Sequence, residues 1–185
     1  MKQTYERLDR RMKDLFDTAP DIPREEESMR FMEADSIMHF LGAGGIEHYE
    51  QVVQFCKDNQ IQRVFDIGSA YGHQSECFLD TSIEYIGVDD AMQNGWNSER
   101  YTYIQGSYPC PLPTKADDLA VSVLCLTWNC YLHEGERTLH QQCKSLSEDF
   151  RHALLYASKS ASDTLKEYFT SVETVEGGFL YCSNN

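Results

Sequence analysis

The chain has 185 residues, a length that suits one domain with a core large enough to need neither disulfides nor metals. Its 41% hydrophobic and 12% aromatic content excludes a disordered chain, no run approaches the roughly 20 apolar residues that cross a bilayer, and the charged start Met1–Arg7 has no apolar core of a signal peptide behind it. Thirty acids against 16 bases give a net charge of −14, and residues 31–185 carry 22 of the acids but only nine of the bases, so the surface repels phosphate backbones and disfavours nucleic acid as a partner.

Helical spacing of Tyr5, Leu8, Met12, Leu15 and Phe16 predicts an amphipathic helix over 4–17, with Glu6/Arg10 and Asp9/Lys13 as i,i+4 charge pairs. Pro20 and Pro23 break it, because each disfavours helix at the residue before. A second helix is predicted over 25–41, with Met29, Met32, Ile37 and Phe40 inward. Its start, Glu25-Glu26-Glu27, suits the positive end of the helix dipole. Gly42-Ala43-Gly44-Gly45 interrupts the chain. A third helix, 46–58, carries Ile46, Tyr49, Val53 and Cys56 on one face. Residues 1–60 are therefore read as a helical N-terminal extension or lid. Its amphipathic first helix is able to dock on its own domain or on a second copy of the chain.

From residue 61 the rhythm changes to short apolar runs between helical stretches. Strands are predicted at 63–67, 83–88, 101–105, 119–126 and 152–157, with helices at 73–79, 135–147 and 161–169. The run 119–126 has the unbroken apolar character of a central parallel strand buried on both faces. Residues 171–182 form a hairpin around Gly177-Gly178, a pair that supplies the positive φ of a tight turn. Alternating strands and helices imply a mostly parallel sheet with a terminal antiparallel strand, and ligands of such sheets sit at the carboxyl ends of the strands. The proline-spaced segment 108–113 reads as a stiff extended connector.

The most informative segment is Asp66-Ile67-Gly68-Ser69-Ala70-Tyr71-Gly72, where the first strand enters a turn of small residues. Asp89 ends the next strand, 21 positions after Gly68. A pyrophosphate dinucleotide asks for Gly-x-Gly-x-x-Gly, and a carboxylate beside the turn repels it. A ligand bearing an ammonium suits Asp66, and Asp89 can accept hydrogen bonds from both ribose hydroxyls. A cationic nucleoside satisfies both acids. Taken singly, Asp66 is equally the cap of a turn and Asp89 the start of a solvated loop; their order along the chain favours the ligand reading.

These residues resemble the class I S-adenosylmethionine-dependent methyltransferases, over about residues 46–182. Asp66, Gly68 and Gly72 match the family's acid followed by Gly-x-Gly-x-Gly, with Ala70 in place of the middle glycine. Val88-Asp89 matches the ribose-binding strand end, and Gln105-Gly106-Ser107 stands where the family has a Gly-Asp-Ala-like segment beside the adenine. Asp117-Asp118-Leu119-Ala120 corresponds to the entry of the fourth strand. The resemblance implies an α/β, Rossmann-like class I methyltransferase fold, a mostly parallel sheet with a C-terminal β-hairpin and a helical N-terminal extension, with residues 61–185 as the cofactor domain. It further implies S-adenosylmethionine as cofactor, held by Asp66, Gly68, Ser69, Ala70, Gly72, Asp89, Gly106 and Ser107. Departures are Ala70, Ser107 and a short turn-rich stretch at 91–100 in place of a helix.

The acceptor would meet Thr127–His133, where His133 is a candidate base and Trp128 a stacking surface, although a solvated helix-start histidine and a core tryptophan account for them too. No Asn-Pro-Pro-Tyr or Asp-Pro-Pro-Tyr is present, which argues against the DNA amino-methylating enzymes. Tyr71 is placed to lie over a cation, while His39, His48 and Tyr49 flank the glycine break where they could line a lid. The histidines are scattered and the seven cysteines form no Cys-x-x-Cys, so no metal is expected and the thiols are read as buried and reduced. The resulting expectation is a cytoplasmic methyltransferase acting on a small molecule, with no membrane association. A catalytically inactive binding module of the same fold is the alternative, and a nicotinamide dehydrogenase the third reading.

Overall fold

The structure, a computed structural model, describes residues 2–16, 24–90, 101–123, 136–157 and 159–184. The apolar runs form seven strands: β1 Arg63–Ile67, β2 Glu84–Asp89, β3 Tyr101–Gln105, β4 Leu119–Val123, β5 His152–Tyr156, β6 Ser171–Thr174 and β7 Leu180–Ser183. They make one sheet in the order β3-β2-β1-β4-β5-β7-β6. Pairs from β3 to β5 are parallel, and β7 is antiparallel to both its neighbours. The direction of growth reverses between β1 and β4, which places a crevice at their carboxyl ends.

Strand alternation sorts side chains to two layers. On one face, Val64, Tyr85, Leu119, Val121 and Leu154 pack under α3 (Gly45–Asp58) through its Tyr49, Val52, Val53 and Cys56. On the other, Phe65, Ile67, Ile86, Val88, Ala120 and Leu155 meet α4 (Glu136–Asp149) and α5 (Lys159–Leu165) through Leu139, Cys143, Leu146, Ala161 and Leu165. Helix α3 is the inward-facing helix expected from Ile46, Tyr49, Val53 and Cys56, all of them buried. The hairpin between β6 and β7 turns at Gly177 and Gly178, whose φ values are +75° and +80°.

Helices α1 (Lys2–Phe16) and α2 (Arg24–Gly42) form a satellite pair, with Leu8 and Leu15 of α1 packed on Ala34 and Ile37 of α2 and on Ile46. Arg7 fixes α1 to the segment after the glycine turn: Nε meets Glu76 Oε2 at 2.7 Å, Nη2 donates to the Glu76 carbonyl at 2.8 Å, and Nη1 meets Asp80 at 3.3 Å. Arg11 Nε meets Glu33 Oε1 at 3.0 Å, joining α1 to α2.

Three sequence expectations change. Met29 and Met32 do not point inward; they are 40% and 57% exposed, and Ala34 and Ile37 fill the buried stripe. The cause is that α2 is apolar on more than one side, so periodicity could not choose its face. The helix expected at 73–79 is a single 3-10 helix, His73–Cys77, opened by Gly72 in the left-handed region and carrying buried His73, Gln74 and Ser75. The helix expected at 161–169 starts at Lys159 and ends at Leu165, after which a turn brings Phe169 into the core.

At the opposite end of the sheet from the glycine turn, Arg63 and Asp118 form a bidentate pair, Nε–Oδ1 2.9 Å and Nη2–Oδ2 2.6 Å. Asp118 also accepts the Lys115 amide at 2.6 Å, and Arg63 donates to the Pro113 carbonyl at 3.1 Å. The proline-rich connector is thereby tied to the start of β1. Among the described residues, no helix is long and apolar enough to cross a membrane. The break at 19–23, the stretch 91–100 and the end of the predicted fourth strand at 124–126 lie outside the described residues.

Candidate cofactor site

The turn that follows β1 needs three residues in the left-handed region: Gly68 at φ +81°, Ala70 at +45° and Gly72 at +75°. Glycine adopts this conformation without steric cost, and an alanine there is strained by about 1 kcal/mol or more. The strain at Ala70 is offset by a charged hydrogen bond, since its amide donates to Asp89 Oδ2 at 2.8 Å. The amides of Gly68 and Ser69 donate to the Val88 carbonyl at 2.8 and 3.3 Å, and Gly72 donates to Ser69 at 2.8 Å. The two predicted acidic strand ends are thus linked across neighbouring strands, with Asp89 fastened to the turn itself.

Asp66 sits on the other side of that turn. Its carboxylate is fully buried on the α3 face, opposite Gly87 in the β1–β2 register. Tyr49 Oη donates to both carboxylate oxygens, at 3.0 and 2.9 Å, Tyr85 Oη donates at 2.6 Å and Gln74 Nε2 at 2.7 Å. Burial pushes its pKa up to about 6, against the pull of those three donors in the other direction. The contact expected between Asp66 and a ligand ammonium therefore has competitors inside the protein. Gln74 Nε2 donates to the Ser69 carbonyl as well, at 2.9 Å.

At the edge of β3, Gly106 donates its amide to the Asp89 carbonyl at 2.8 Å, and Ser107 Oγ donates to Asp90 Oδ2 at 2.7 Å. Tyr103 Oη donates to the Asp89 carbonyl at 2.9 Å. Asp66, Gly68, Ser69, Ala70, Gly72, Asp89, Gly106 and Ser107 thus lie along the carboxyl ends of β1, β2 and β3, with Asp66 beneath the turn and not on its outer side. Ser69 is also buried, its hydroxyl beneath the turn.

The remaining candidates separate. Tyr71 stacks on the His73 ring, 5.9 Å between centroids and 15° between planes. His73 is kept neutral by burial and by Arg11, its pKa lowered to about 4. His48 Nδ1 donates to the Gly44 carbonyl at 2.8 Å, and its ring lies edge-on to Tyr156 at 4.4 Å. His39 is exposed beside Asp35 and joins neither group. Thr127–His133 lie outside the described residues. Residues that sequence reasoning did not connect to the site are Gln74, Tyr85, Asp90 and Tyr103, together with Tyr49 in its role as a donor to Asp66. The alternation of β2 puts Tyr85 and Gly87 on one face, and the β1–β2 register makes that the face of Asp66.

No family model matches the chain, and no curated protein matches it in sequence. Solved structures do match it in fold. Human N-acetylserotonin methyltransferase in complex with S-adenosylmethionine aligns with a TM-score of 0.60 at 12% identity, over 98% of this chain and 66% of that one. N,N-8-amino-8-demethyl-D-riboflavin dimethyltransferase from Streptomyces davawensis aligns at 0.57 and 12%, over 88% and 60%. The N-methyltransferase NodS from Bradyrhizobium japonicum WM9 aligns at 0.57 and 14%, over 75% and 94%. The chain spans less than two thirds of the length of the first two and most of the third. It has the α/β, Rossmann-like fold of the class I methyltransferases, with seven mostly parallel strands and a terminal hairpin.

Proposed function

We propose that this protein is an S-adenosylmethionine-dependent methyltransferase acting on a small molecule, with the cofactor lying over Gly68–Gly72 and Asp89 and its adenine toward Gly106 and Ser107. The observation that carries this reading is the bond between Asp89 and the Ala70 amide, which holds the candidate ribose-binding carboxylate of β2 against the small-residue turn after β1, a strand that borders the β1–β4 reversal of the sheet order. The site suits a cationic ligand: Asp89 lies on it and none of the eight site residues is basic. The fold of three methyltransferases from distant organisms supports the same class of chemistry.

When bound, the cofactor supplies an activated methyl group on a sulfonium. The chain's task is to bind and orient it, exclude water and leave the acceptor in line. Asp89 would accept the ribose hydroxyls, the turn backbone would carry the aminoacyl end, and Asp66 would act from below by holding the turn. Residues 1–60 would serve as a helical lid over the domain 61–185, with α3 packed on the sheet and α1 tied by Arg7 to the segment that follows the turn. The cytoplasm is the compartment in which such a reduced, cysteine-bearing chain would work.

The second reading, a binding module without turnover, draws on the enclosed Asp66, on Ala70, and on the reduction of the helix after the turn to five residues. Labelled methyl transfer to a panel of hydroxyl and amine acceptors separates the two. Asp89→Ala is expected to weaken S-adenosylmethionine binding at least about tenfold, as loss of a charged hydrogen-bond acceptor does. Binding that is indifferent to Asp89→Ala removes the proposed site, and binding without label on any acceptor favours the module.

A further inference from the structure

The carboxylate of Asp66 is a joint between three elements. Tyr49 reaches it from α3, Tyr85 from β2 and Gln74 from the 3-10 helix, and all three side chains are buried. Burying a charge on an apolar sheet face is costly unless hydrogen bonds satisfy it, and here three side chains converge on one group. Gln74 carries the connection onward: the Nε2 that donates to Asp66 at 2.7 Å also donates to the Ser69 carbonyl at 2.9 Å. That carbonyl accepts the Gly72 amide too, so it sits at the centre of the turn's own bonding. Both amide protons of Gln74 are engaged, which fixes its orientation.

We propose that Tyr49, Gln74 and Tyr85 are positioning residues that hold the glycine turn in its ligand-binding shape through Asp66, coupling that turn to helix α3. The inference deepens the proposed cofactor site and rests on that reading only for the ligand's identity. Its consequence is that ligand affinity at the turn is set partly from α3, the helix that follows the glycine break and packs on the satellite pair α1–α2. A shift of α3 that withdraws the Tyr49 hydroxyl would loosen the turn without touching a ligand.

Protonation works on the same joint. The groups facing Asp66 are Tyr49 from α3, Tyr85 from β2, Gln74 from the 3-10 helix and the Asp89 carboxylate from the end of β2. Protonation takes an acceptor from the three donors but relieves the larger cost of a buried charge, so an opening that exposes Asp66 becomes easier as pH rises through about 6. Tyr49→Phe removes one bond to the charged form and moves that midpoint upward; Asp66→Asn abolishes it.

Hydrogen exchange of the full chain, read as protection relative to intrinsic rates from pH 5 to 8, tests this without any ligand. At pH 7.5, Tyr49→Phe and Gln74→Met are expected to lower protection of the 68–72 amides about tenfold, leaving β4 and β5 within about threefold. The wild-type profile at the turn should carry the midpoint, shifted up in Tyr49→Phe and missing in Asp66→Asn. Unchanged turn protection in both variants, or equal loosening throughout the sheet, overturns the proposal. Parallel titration with S-adenosylmethionine keeps the two ideas apart. If wild-type protein binds none but the turn loosens selectively, the cofactor reading falls and the joint stands. If both variants bind like wild type, the joint falls and the cofactor reading stands.

Discussion

Asp118→Ala is expected to lower the unfolding free energy by about 3–5 kcal/mol, the usual cost of leaving one member of a buried ion pair uncompensated. The pair with Arg63 is bidentate and largely shielded, with side-chain exposures of 13% and 5%. Arg63 also lies over the Phe65 ring, 5.2 Å from its centroid, a contact that adds to the charge pair. Removing Asp118 further strips the Lys115 amide of its acceptor and releases the connector that leads into β4. The double substitution Arg63→Met/Asp118→Leu should recover most of the loss, because two apolar groups leave no buried charge unpaired. Urea unfolding of the three proteins measures both effects. A single-variant loss below about 1 kcal/mol, the range of surface pairs, would show that the clamp is solvated.

The second large effect is a pH dependence. The Asp66 carboxyl has its pKa raised by burial from 3.8 to about 6. A raised acid makes its full contribution to stability below the unfolded-state value and loses it as pH climbs through the folded-state value. Between pH 4 and 7 the native protein should therefore lose about 2 kcal/mol through this group. Asp66→Asn does not titrate, so the stability of wild type relative to the variant should fall by that amount across the window. Thermal or urea unfolding at half-unit pH steps provides the curve. A flat difference would mean that the three donors fully compensate the burial of the charge.

The sheet was legible because its strands are bounded apolar runs: Arg63–Ile67 and Leu119–Val123 announce themselves, and Gly177-Gly178 marks the hairpin. Helix α3 was legible because its apolar stripe is clean, whereas α2 offers Met29, Phe31, Met32 and Met38 on faces that packing leaves exposed. The glycine turn and Asp89 could be placed at adjacent strand ends from spacing alone. The donors to Asp66 could not, since they lie 17, 8 and 19 positions away and meet only when the β1–β2 register and the seat of α3 are known. The same holds for the Ala70–Asp89 bond, 19 positions apart, which depends on the positive φ of Ala70. The shortened helix after the turn was missed because His73, Gln74 and Ser75 are polar yet buried, the reverse of what periodicity assumes.

The most direct measurement is calorimetric titration of the full chain with S-adenosylmethionine, alongside NAD as the competing nucleotide. One binding event per chain is expected with S-adenosylmethionine at a dissociation constant below about 1 mM, equivalent to about 4 kcal/mol, and no heat with NAD. Silence with S-adenosylmethionine up to millimolar concentration, or heat with NAD instead, would contradict the assignment of the glycine turn and Asp89 as a sulfonium-nucleoside site.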